Sequence, residues 1–516
     1  MPSRPTRPSA RCGSGCSRPG VTDPLLVRTD AGDVLGREQG GLRSWRAIPY
    51  AAPPVGALRL RAPQPVTPWP EALEAFEFGS AAPQSGRFGR HDGGTDEDCL
   101  TLNVLAPSAR SINPRPVMVF IHGGAYSGGS ASSRLYRGER LVRNGHVVYV
   151  SLNYRLGALG YLDFGEYSTP ERTFDSNLGL RDQVAALEWV QRNIAAFGGD
   201  PDAVTVFGES SGANAVTTLM CTPAARGLFA RAIAQSPPAA SAYGPDRSRL
   251  WAAEFLELLG GSDDPVTALT TASAETLTRA GDALAARGAD EAPGTRAFAP
   301  LVDGEFLPRH PLDAFADGHQ HRVPLIIGTN AREGTMFPRF LDIIPTDPVR
   351  IEKMFAETDP VLKARILAAY PGYPDRAAAV QLGGDVTFWE PSVLVAQAHA
   401  EVAPTYDYRY DFAPRLLRAT GFGATHGTEL LAVFDAADLP LGRGATVLGG
   451  RKGLRAVASI MQSHWLNFAR HGEPRPTWPR YTAERRETLV VDTVARVEYD
   501  PDAERRRAWI GYRHRR

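Results

Sequence analysis

The stretch Val204-Thr205-Val206-Phe207-Gly208-Glu209-Ser210-Ser211-Gly212-Ala213-Asn214-Ala215 carries the strongest signal in the sequence. Four strand-forming residues run into a Gly-x-Ser-x-Gly pattern, and small, helix-compatible residues follow it. Gly208 and Gly212 leave room where a strand and a helix approach closely, and a strained turn between them exposes one hydroxyl. The pattern therefore predicts a nucleophile at Ser210. Ser211 has no glycine two places away on either side, so we expect it to supply a backbone N–H.

A second signal is a glycine-rich loop that follows a predicted buried strand at residues 117–121. The loop reads His122-Gly123-Gly124-Ala125-Tyr126-Ser127-Gly128-Gly129-Ser130. Its spacing matches neither Gly-x-Gly-x-x-Gly nor a lysine-bearing phosphate loop. With a Gly-x-Ser-x-Gly downstream, it fits the backbone N–H donors of an oxyanion hole better, and a simple turn is the alternative.

Two later residues are the leading candidates for an acid and a base. A serine hydroxyl is a poor nucleophile near pH 7, so it needs an imidazole to take its proton and an acidic group to orient that imidazole. In α/β-hydrolase topology both follow the serine, first the acid after a strand and then the histidine. Glu333 follows the predicted strand 323–328, and His426 lies in a glycine-flanked loop after the predicted strand 406–412. Taken alone, each residue type is more often structural or on the surface.

The order of the predicted elements indicates an α/β fold. A strand at 147–152, a helix at 178–197 and the strand before Ser210 predict a large, mostly parallel sheet with helices on both faces. Residues 237–299 and 338–400 are predicted to be helical insertions that form a lid. The other predicted segments are a strand hairpin at 25–38, an ordered proline-containing loop at 45–60, a strand at 97–104, a helix at 456–471 and a terminal strand at 489–492.

The charge balance excludes a strong general attraction to polyanions. The chain has 516 residues, with 57 Lys and Arg against 57 Asp and Glu, and its formal net charge is zero. Nothing global therefore attracts nucleic acid or an anionic membrane, and small apolar substrates suit the chain better. The arginines at 505–507 and 513–516 could bind polyanions, but a solvated basic tail is the simpler interpretation.

The N-terminal residues, the lack of a long apolar window and the cysteines give less specific predictions than the motifs. Residues 1–20 have no apolar core of a signal peptide, so we predict a disordered tail, followed by one domain at 21–516. No window approaches the roughly 18 apolar residues of a membrane helix. A cytoplasmic monomer is expected. The four cysteines, Cys12, Cys16, Cys99 and Cys221, are too few and too irregular for a disulfide framework or a zinc site.

Five separate motifs together resemble the type-B carboxylesterase family of α/β-hydrolases, which includes bacterial para-nitrobenzyl esterases and is related to the cholinesterases. The motifs lie at 97–104, 122–124, 207–213, 328–334 and 424–429, and the likeness extends from about residue 24 to residue 492. Their common order makes chance agreement negligible. The resemblance implies hydrolysis of small-molecule carboxylic esters through an acyl-enzyme, with no metal or cofactor.

The resemblance also implies roles for particular residues. Ser210 would be the nucleophile, Glu333 the acid and His426 the base. The remaining family positions correspond to oxyanion N–H donors at Gly124, Ala125 and Ser211, a loop-shaping Gly123, buried polar groups at Glu209 and Ser236, and acyl-pocket residues at Met336 and Phe337.

The chain departs from the family pattern at three places. Family members usually carry alanine at the position of Ser211, but its N–H is retained, so little loss is expected. Cys99 lacks the upstream partner that relatives have, because that neighbourhood reads Ala-Ala-Pro-Gln at 81–84. No tryptophan lies between Gln84 and Cys99, so we do not expect the cation–π recognition of choline esters.

Two other functions use the same features. An amide or carbamate hydrolase would need the same side chains, and only turnover of matched substrates separates it from an esterase. A binding protein on the same scaffold is also possible in principle, because a fold does not determine a function. Non-catalytic relatives typically lack one of the three side chains, and this chain has all three.

Overall fold

The strands in the described part of the chain form one large sheet and one small one. The computed structural model describes residues 25–86, 91–109 and 111–516, so the predicted tail at 1–20 lies outside the described residues. The strands are β1 Leu26–Arg28, β2 Asp33–Leu35, β3 Arg37–Gln39, β4 Leu42–Pro49, β5 Leu73–Glu74, β6 Thr101–Pro107, β7 Arg115–Ile121, β8 Val148–Leu152, β9 Gly199–Glu209, β10 Arg231–Gln235, β11 Leu325–Asn330, β12 Thr405–Tyr410, β13 Glu487–Val491 and β14 Arg496–Tyr499.

The large sheet is mostly parallel, as the sequence predicts. Its eleven strands lie in the order β14-β13-β12-β11-β10-β9-β7-β8-β6-β4-β3. Every neighbouring pair from β8 to β13 is parallel. The pairs at the two edges of the sheet are antiparallel. Parallel strands bring their carboxyl ends to the same edge, so the loops after β7, β9, β11 and β12 meet there.

Helices cover the sheet and fill two insertions. They are α1 Glu139–Gly145, α2 Ala158–Tyr161, α3 Leu178–Asn193, α4 Ser211–Leu219, α5 Pro245–Leu258, α6 Pro265–Thr271, α7 Ala274–Glu291, α8 Pro311–Ala316, α9 Phe337–Phe340, α10 Pro348–Met354, α11 Pro360–Ala368, α12 Arg376–Gly384, α13 Glu390–Ala400, α14 Arg415–Ala419, α15 Leu430–Val433, α16 Pro440–Ala445, α17 Arg451–His471 and α18 Ala503–Trp509. The insertion predicted at 237–299 contains α5, α6 and α7 and lies between β10 and β11, but α8 lies beyond its predicted end. The insertion predicted at 338–400 contains α10 to α13 and most of α9, and it lies between β11 and β12. None of the helices in the described ranges is long and apolar enough to cross a membrane.

The sheet separates two hydrophobic cores, because alternate residues of a strand point to opposite faces. Along β7, Val117, Val119 and Ile121 join a core that includes residues of α3 and α4, whereas Met118 and Phe120 join one that includes residues of α1 and α17. A strand buried on both faces needs a continuous apolar run, and β7 has one. The prediction of helices on both faces is therefore confirmed.

Part of the proline-containing loop predicted at 45–60 is instead a strand. β4 continues to Pro49, and Ile48 pairs with Leu102 of β6. The pairing shifts register between Trp45 and Ile48, which marks a bulge. The prediction was wrong here because Pro49 stands at the end of the strand, where its missing N–H is tolerated.

The carboxyl end also differs from the prediction. The expected terminal strand at 489–492 corresponds to β13, but β14 follows and pairs with it antiparallel. β14 mixes charged and apolar residues and is partly exposed, so it lacks the apolar run of a buried strand. The helix predicted at 456–471 begins earlier, at Arg451.

Candidate active site

Ser210 occupies the sharp turn between β9 and α4. Its φ of 58° and ψ of −126° lie in a region that residues other than glycine rarely adopt. The turn requires glycine nearby, because a Cβ at Gly212 would lie 2.1 Å from the Ile121 carbonyl oxygen. The Ser210 N–H donates to the Gln235 carbonyl over 2.9 Å. The backbone thus holds Ser210 at the carboxyl edge of the sheet in the strained geometry of a nucleophile elbow.

His426 and Glu333 meet across two loops of that edge. The His426 Nδ1–H donates to Glu333 Oε2 over 2.6 Å. The other oxygen, Glu333 Oε1, accepts from the Asn330 N–H and from Ser236 Oγ, each over 2.6 Å. The side chains of His426 and Glu333 are 8% and 2% exposed. These three short hydrogen bonds, with a longer one of 3.4 Å from Asn330 Nδ2, hold the carboxylate in one orientation, and the carboxylate in turn orients the imidazole.

The second ring nitrogen of His426 is available for chemistry. His426 Nε2 lies 3.3 Å from Glu209 Oε1, and neither atom has a hydrogen-bond partner within the described residues. Ser210 and His426 line the same cavity, and no hydrogen bond joins them. With Nδ1 occupied as a donor to Glu333, Nε2 can accept a proton from a group in that cavity.

Two buried carboxyl groups, Glu209 and Glu333, flank the imidazole, and a third, Glu429, lies beside Ser236 and Asn330. Burial, together with the neighbouring Glu333, raises the pKa of Glu209 well above its ordinary range. Burial, then Glu209 and Glu333, raise the pKa of Glu429 to about 8. Glu429 Oε2 accepts from Asn330 Nδ2 over 2.6 Å. The sequence analysis gave Glu429 and Asn330 no role, although Glu429 lies in the same motif as His426.

The loop after β7 presents unpaired backbone donors to the cavity. Gly124, Ala125 and Tyr126 all have positive φ, at 126°, 55° and 56°. In the described part of the chain, the N–H groups of Gly124, Ala125 and Ser211 donate no hydrogen bond. Gly123, Gly124, Ala125 and Ser211 all line the cavity. Successive N–H groups in such turns form concavities that bind anions.

Side chains from neighbouring elements hold this loop. Ser211 Oγ accepts from the Tyr126 N–H over 3.2 Å, and Tyr126 Oη donates to Asn214 Oδ1 over 2.6 Å. At the start of the loop, Tyr154 Oη donates to the His122 carbonyl over 2.6 Å. The hydroxyl of Ser211 thus has a partner that the sequence analysis did not foresee.

The cavity beside Ser210 has a volume of about 520 Å³, within the range of small-ligand sites. Both insertions contribute to its wall. The Phe388 ring stacks on His426 at 4.3 Å, and the Phe337 ring lies 5.3 Å from it. Phe388 belongs to a π-helical segment, Asp385–Trp389, of a kind often found at functional sites. The residues that line the cavity from the two insertions are Pro238, Ser241, Arg296, Met336, Phe337, Leu341, Ile343 and Phe388.

Most of the predicted site residues lie around one cavity. Ser210, His426, Glu209, Met336 and Phe337 line it together with the loop after β7. Two others lie one step behind it. Glu333 does not line the cavity but bonds to His426, which does. Ser236 in turn bonds to Glu333.

Comparison with known proteins gives a consistent match. The model of the carboxylesterase family matches residues 23–509. The chain is 38% identical over 496 residues to para-nitrobenzyl esterase of Bacillus subtilis (strain 168), which covers 93% of this chain and 97% of that protein. It is 34% identical over 499 residues to phenmedipham hydrolase of Pseudarthrobacter oxydans, again covering 93% and 97%. A solved PNB esterase structure superposes with a TM-score of 0.82 at 35% identity and covers 94% of this chain and 100% of that one.

The family match covers the residues of the candidate active site described above. The family match spans the whole large sheet, and the similar solved structure covers nearly the full chain. Esterases recur among the similar proteins, and the sheet is that of an α/β-hydrolase. The chain therefore belongs to the carboxylesterase family and is a carboxylic ester hydrolase.

Proposed function

We propose that the protein hydrolyses carboxylic esters with Ser210 as nucleophile, His426 as base and Glu333 as the acid that orients the base. The observation that carries this proposal is the 2.6 Å hydrogen bond between His426 Nδ1 and Glu333 Oε2. It leaves Nε2, which lies 3.3 Å from Glu209 Oε1, as the ring nitrogen that can take a proton, and His426 lines the same cavity as Ser210. In proteins without substrate, the hydrogen bond from nucleophile to base is often long, and it tightens when substrate binds.

The reaction proceeds in two steps. His426 Nε2 takes the Ser210 proton as the hydroxyl oxygen attacks the ester carbonyl, and the N–H groups of Gly124, Ala125 and Ser211 stabilise the oxyanion. The protonated imidazole then gives its proton to the leaving alkoxide, and an acyl group stays on Ser210. Water, activated by the same imidazole, releases the acid in the second step.

Replacement of Ser210 tests the nucleophile. We expect Ser210→Ala to lower kcat for a para-nitrophenyl ester by about 10⁶ and to abolish covalent labelling by a fluorophosphonate, because no other group can form the acyl-enzyme. Intact-protein mass spectrometry measures the labelling. The control is Ser463→Ala, which removes a hydroxyl from α17 outside the cavity. Labelling of folded Ser210→Ala protein at an unchanged rate would contradict the proposal.

The substrate range can be mapped from the cavity. Its aromatic and aliphatic lining favours small esters with an apolar part, so para-nitrophenyl esters of increasing chain length should show an optimum. One similar protein is named phenmedipham hydrolase, which makes phenmedipham a rational second substrate. Side-by-side turnover of an ester and its matched amide tests the amide alternative. Faster turnover of the amide would favour it.

A further inference from the structure

An arginine without an acidic partner lies in the cavity wall. Arg296 follows α7 in the first insertion and lines the cavity with Ser241. Its backbone N–H donates to Tyr243 Oη over 3.0 Å, and its Nε donates to Ser241 Oγ over 3.2 Å. A guanidinium has five N–H donors, and the four on its two terminal nitrogens make no hydrogen bond or ion pair within the described residues.

The surroundings of Arg296 leave its charge uncompensated. Burial lowers the pKa of Arg296, and the neighbours that oppose this effect are the hydroxyls of Tyr243 and Tyr126 rather than a carboxylate. A guanidinium nevertheless remains charged in proteins. The side chain is half-buried, and its terminal nitrogens are not among the fully buried atoms that lack a partner. The cavity therefore contains a positive charge with no carboxylate partner in the described chain, and a ligand that enters the cavity can supply one.

The charge lies close to the reacting groups. The guanidinium carbon of Arg296 is 5.9 Å from the centre of the Phe388 ring, and that ring is 4.3 Å from the centre of the His426 ring. The guanidinium and the imidazole thus lie near the same aromatic ring. An anionic group on a substrate could reach Arg296 from an ester carbonyl at Ser210 through a few methylene groups.

We infer that Arg296 is a specificity-determining residue that binds a carboxylate on the substrate, so that the preferred substrates are esters with an anionic group near the scissile bond. Two terminal N–H groups in a planar fork suit a carboxylate, and charge-assisted hydrogen bonds in a desolvated site are strong. The inference rests on the proposed function of the cavity and adds a substrate class to it. The carboxylate can belong to the acyl part or to the alcohol part of the ester.

A matched pair of esters tests this inference. The acyl arm compares para-nitrophenyl hydrogen adipate with its methyl ester, in which a methoxy group replaces the negatively charged oxygen. The alcohol arm compares a hexanoate ester of para-hydroxybenzoate with that of its methyl ester. We expect wild-type kcat/KM to favour the anion in one arm, and Arg296→Met to reduce that preference by about tenfold or more, mainly through KM.

Three further variants separate the roles of charge, shape and location. Arg296→Lys keeps the charge without the fork and should retain part of the preference. Arg134, an exposed arginine at the cavity, provides a charge-matched control in Arg134→Met, and Arg339→Met removes a charge outside the cavity. A structural role of Arg296 alone would lower kcat/KM for both esters equally. An unchanged preference in Arg296→Met, or one that disappears in Arg134→Met instead, overturns the inference.

Binding without turnover separates this inference from the proposed reaction. Isothermal titration of Ser210→Ala protein with the adipate pair measures recognition alone. We expect the anion to bind more tightly than its methyl ester, and the added change Arg296→Met to remove about tenfold of that difference. Equal affinities for the two esters overturn the role of Arg296 even if ester hydrolysis is confirmed. Preserved discrimination in Ser210→Ala protein, together with no hydrolysis of either ester by the wild-type protein, would support Arg296 and refute the reaction.

Discussion

At the residue scale, Ser211 acts through both its backbone and its side chain. Its N–H is a proposed oxyanion donor, and its hydroxyl accepts the Tyr126 N–H within the loop that carries two other donors. An alanine would keep the first contribution and lose the second. In this chain a hydroxyl, which an alanine at the same position would lack, therefore helps to hold the loop after β7.

We expect Ser211→Ala to lower kcat about threefold to tenfold with little change in KM, because one hydrogen bond contributes about 1 kcal/mol to loop position. Donors to the oxyanion act in the transition state, so their misplacement affects kcat first. Steady-state kinetics with a para-nitrophenyl ester measures the change, with Ser463→Ala as the control. Equal kcat in Ser211→Ala and wild type would show that the hydroxyl is dispensable.

At the scale of elements, the turn from β9 to α4 depends on how closely α4 approaches β7. A Cβ at Gly212 would lie 2.1 Å from a backbone oxygen that cannot move without distorting β7. We expect Gly212→Ala to reduce the free energy of unfolding by about 1–3 kcal/mol or more and to lower activity. Chemical denaturation and ester turnover measure the two effects.

The control for that change is another helical glycine. Gly288 lies in α7, and a Cβ there would meet nothing within 4 Å. Gly288→Ala should stabilise the protein by roughly 0.5–1 kcal/mol, because glycine is unfavourable inside a helix. Equal effects of the two substitutions would contradict the argument from close approach.

At the scale of the whole molecule, three distant segments bring together the buried carboxyls of Glu209, Glu333 and Glu429. Ser236 Oγ donates to Glu333 and lies 3.3 Å from Glu429 Oε1, 193 residues away in the chain. Burial raises the pKa of Glu429 from its ordinary value of 4.5 to about 8. The folded protein therefore retains a proton that the unfolded chain releases.

This retained proton predicts how stability depends on pH. Between about pH 4.5 and 8 the folded state binds more protons at Glu429 than the unfolded state, so this group lowers stability as pH rises. Glu429→Gln removes the effect. The difference in unfolding free energy, variant minus wild type, should therefore increase with pH by up to about 1.4 kcal/mol per unit.

Thermal unfolding midpoints at pH 5, 6, 7 and 8 test the prediction. The control is Glu473→Gln at an exposed position after α17, whose difference from wild type should stay nearly constant. A difference for Glu429→Gln that is flat or that decreases over the window would show that this carboxyl is ionised in the folded protein.

Much of the fold could be predicted, because strands and helices depend on neighbouring residues. The apolar run of β7 and the glycines around Ser210 specify their elements locally. Glu333 and His426 were selected because each follows a predicted strand, and parallel strands bring their carboxyl ends to the same edge of a sheet. Two features were missed: β4 continues to Pro49, and the partly exposed β14 pairs at the edge of the sheet. Local patterns do not show whether a proline falls at the end of a strand or whether a partly exposed segment pairs at an edge.

Local sequence thus determined the buried strands of the sheet, the elbow at Ser210 and the loop of N–H donors, because each requires particular residues within a few positions of one another. The tertiary structure alone decided the surroundings of the side chains. Glu333 meets His426 across 93 residues, and Arg296 reaches the cavity from an insertion without an acidic partner in the described chain. Such contacts follow from how separate segments pack, and that packing sets the burial and the charge of the site.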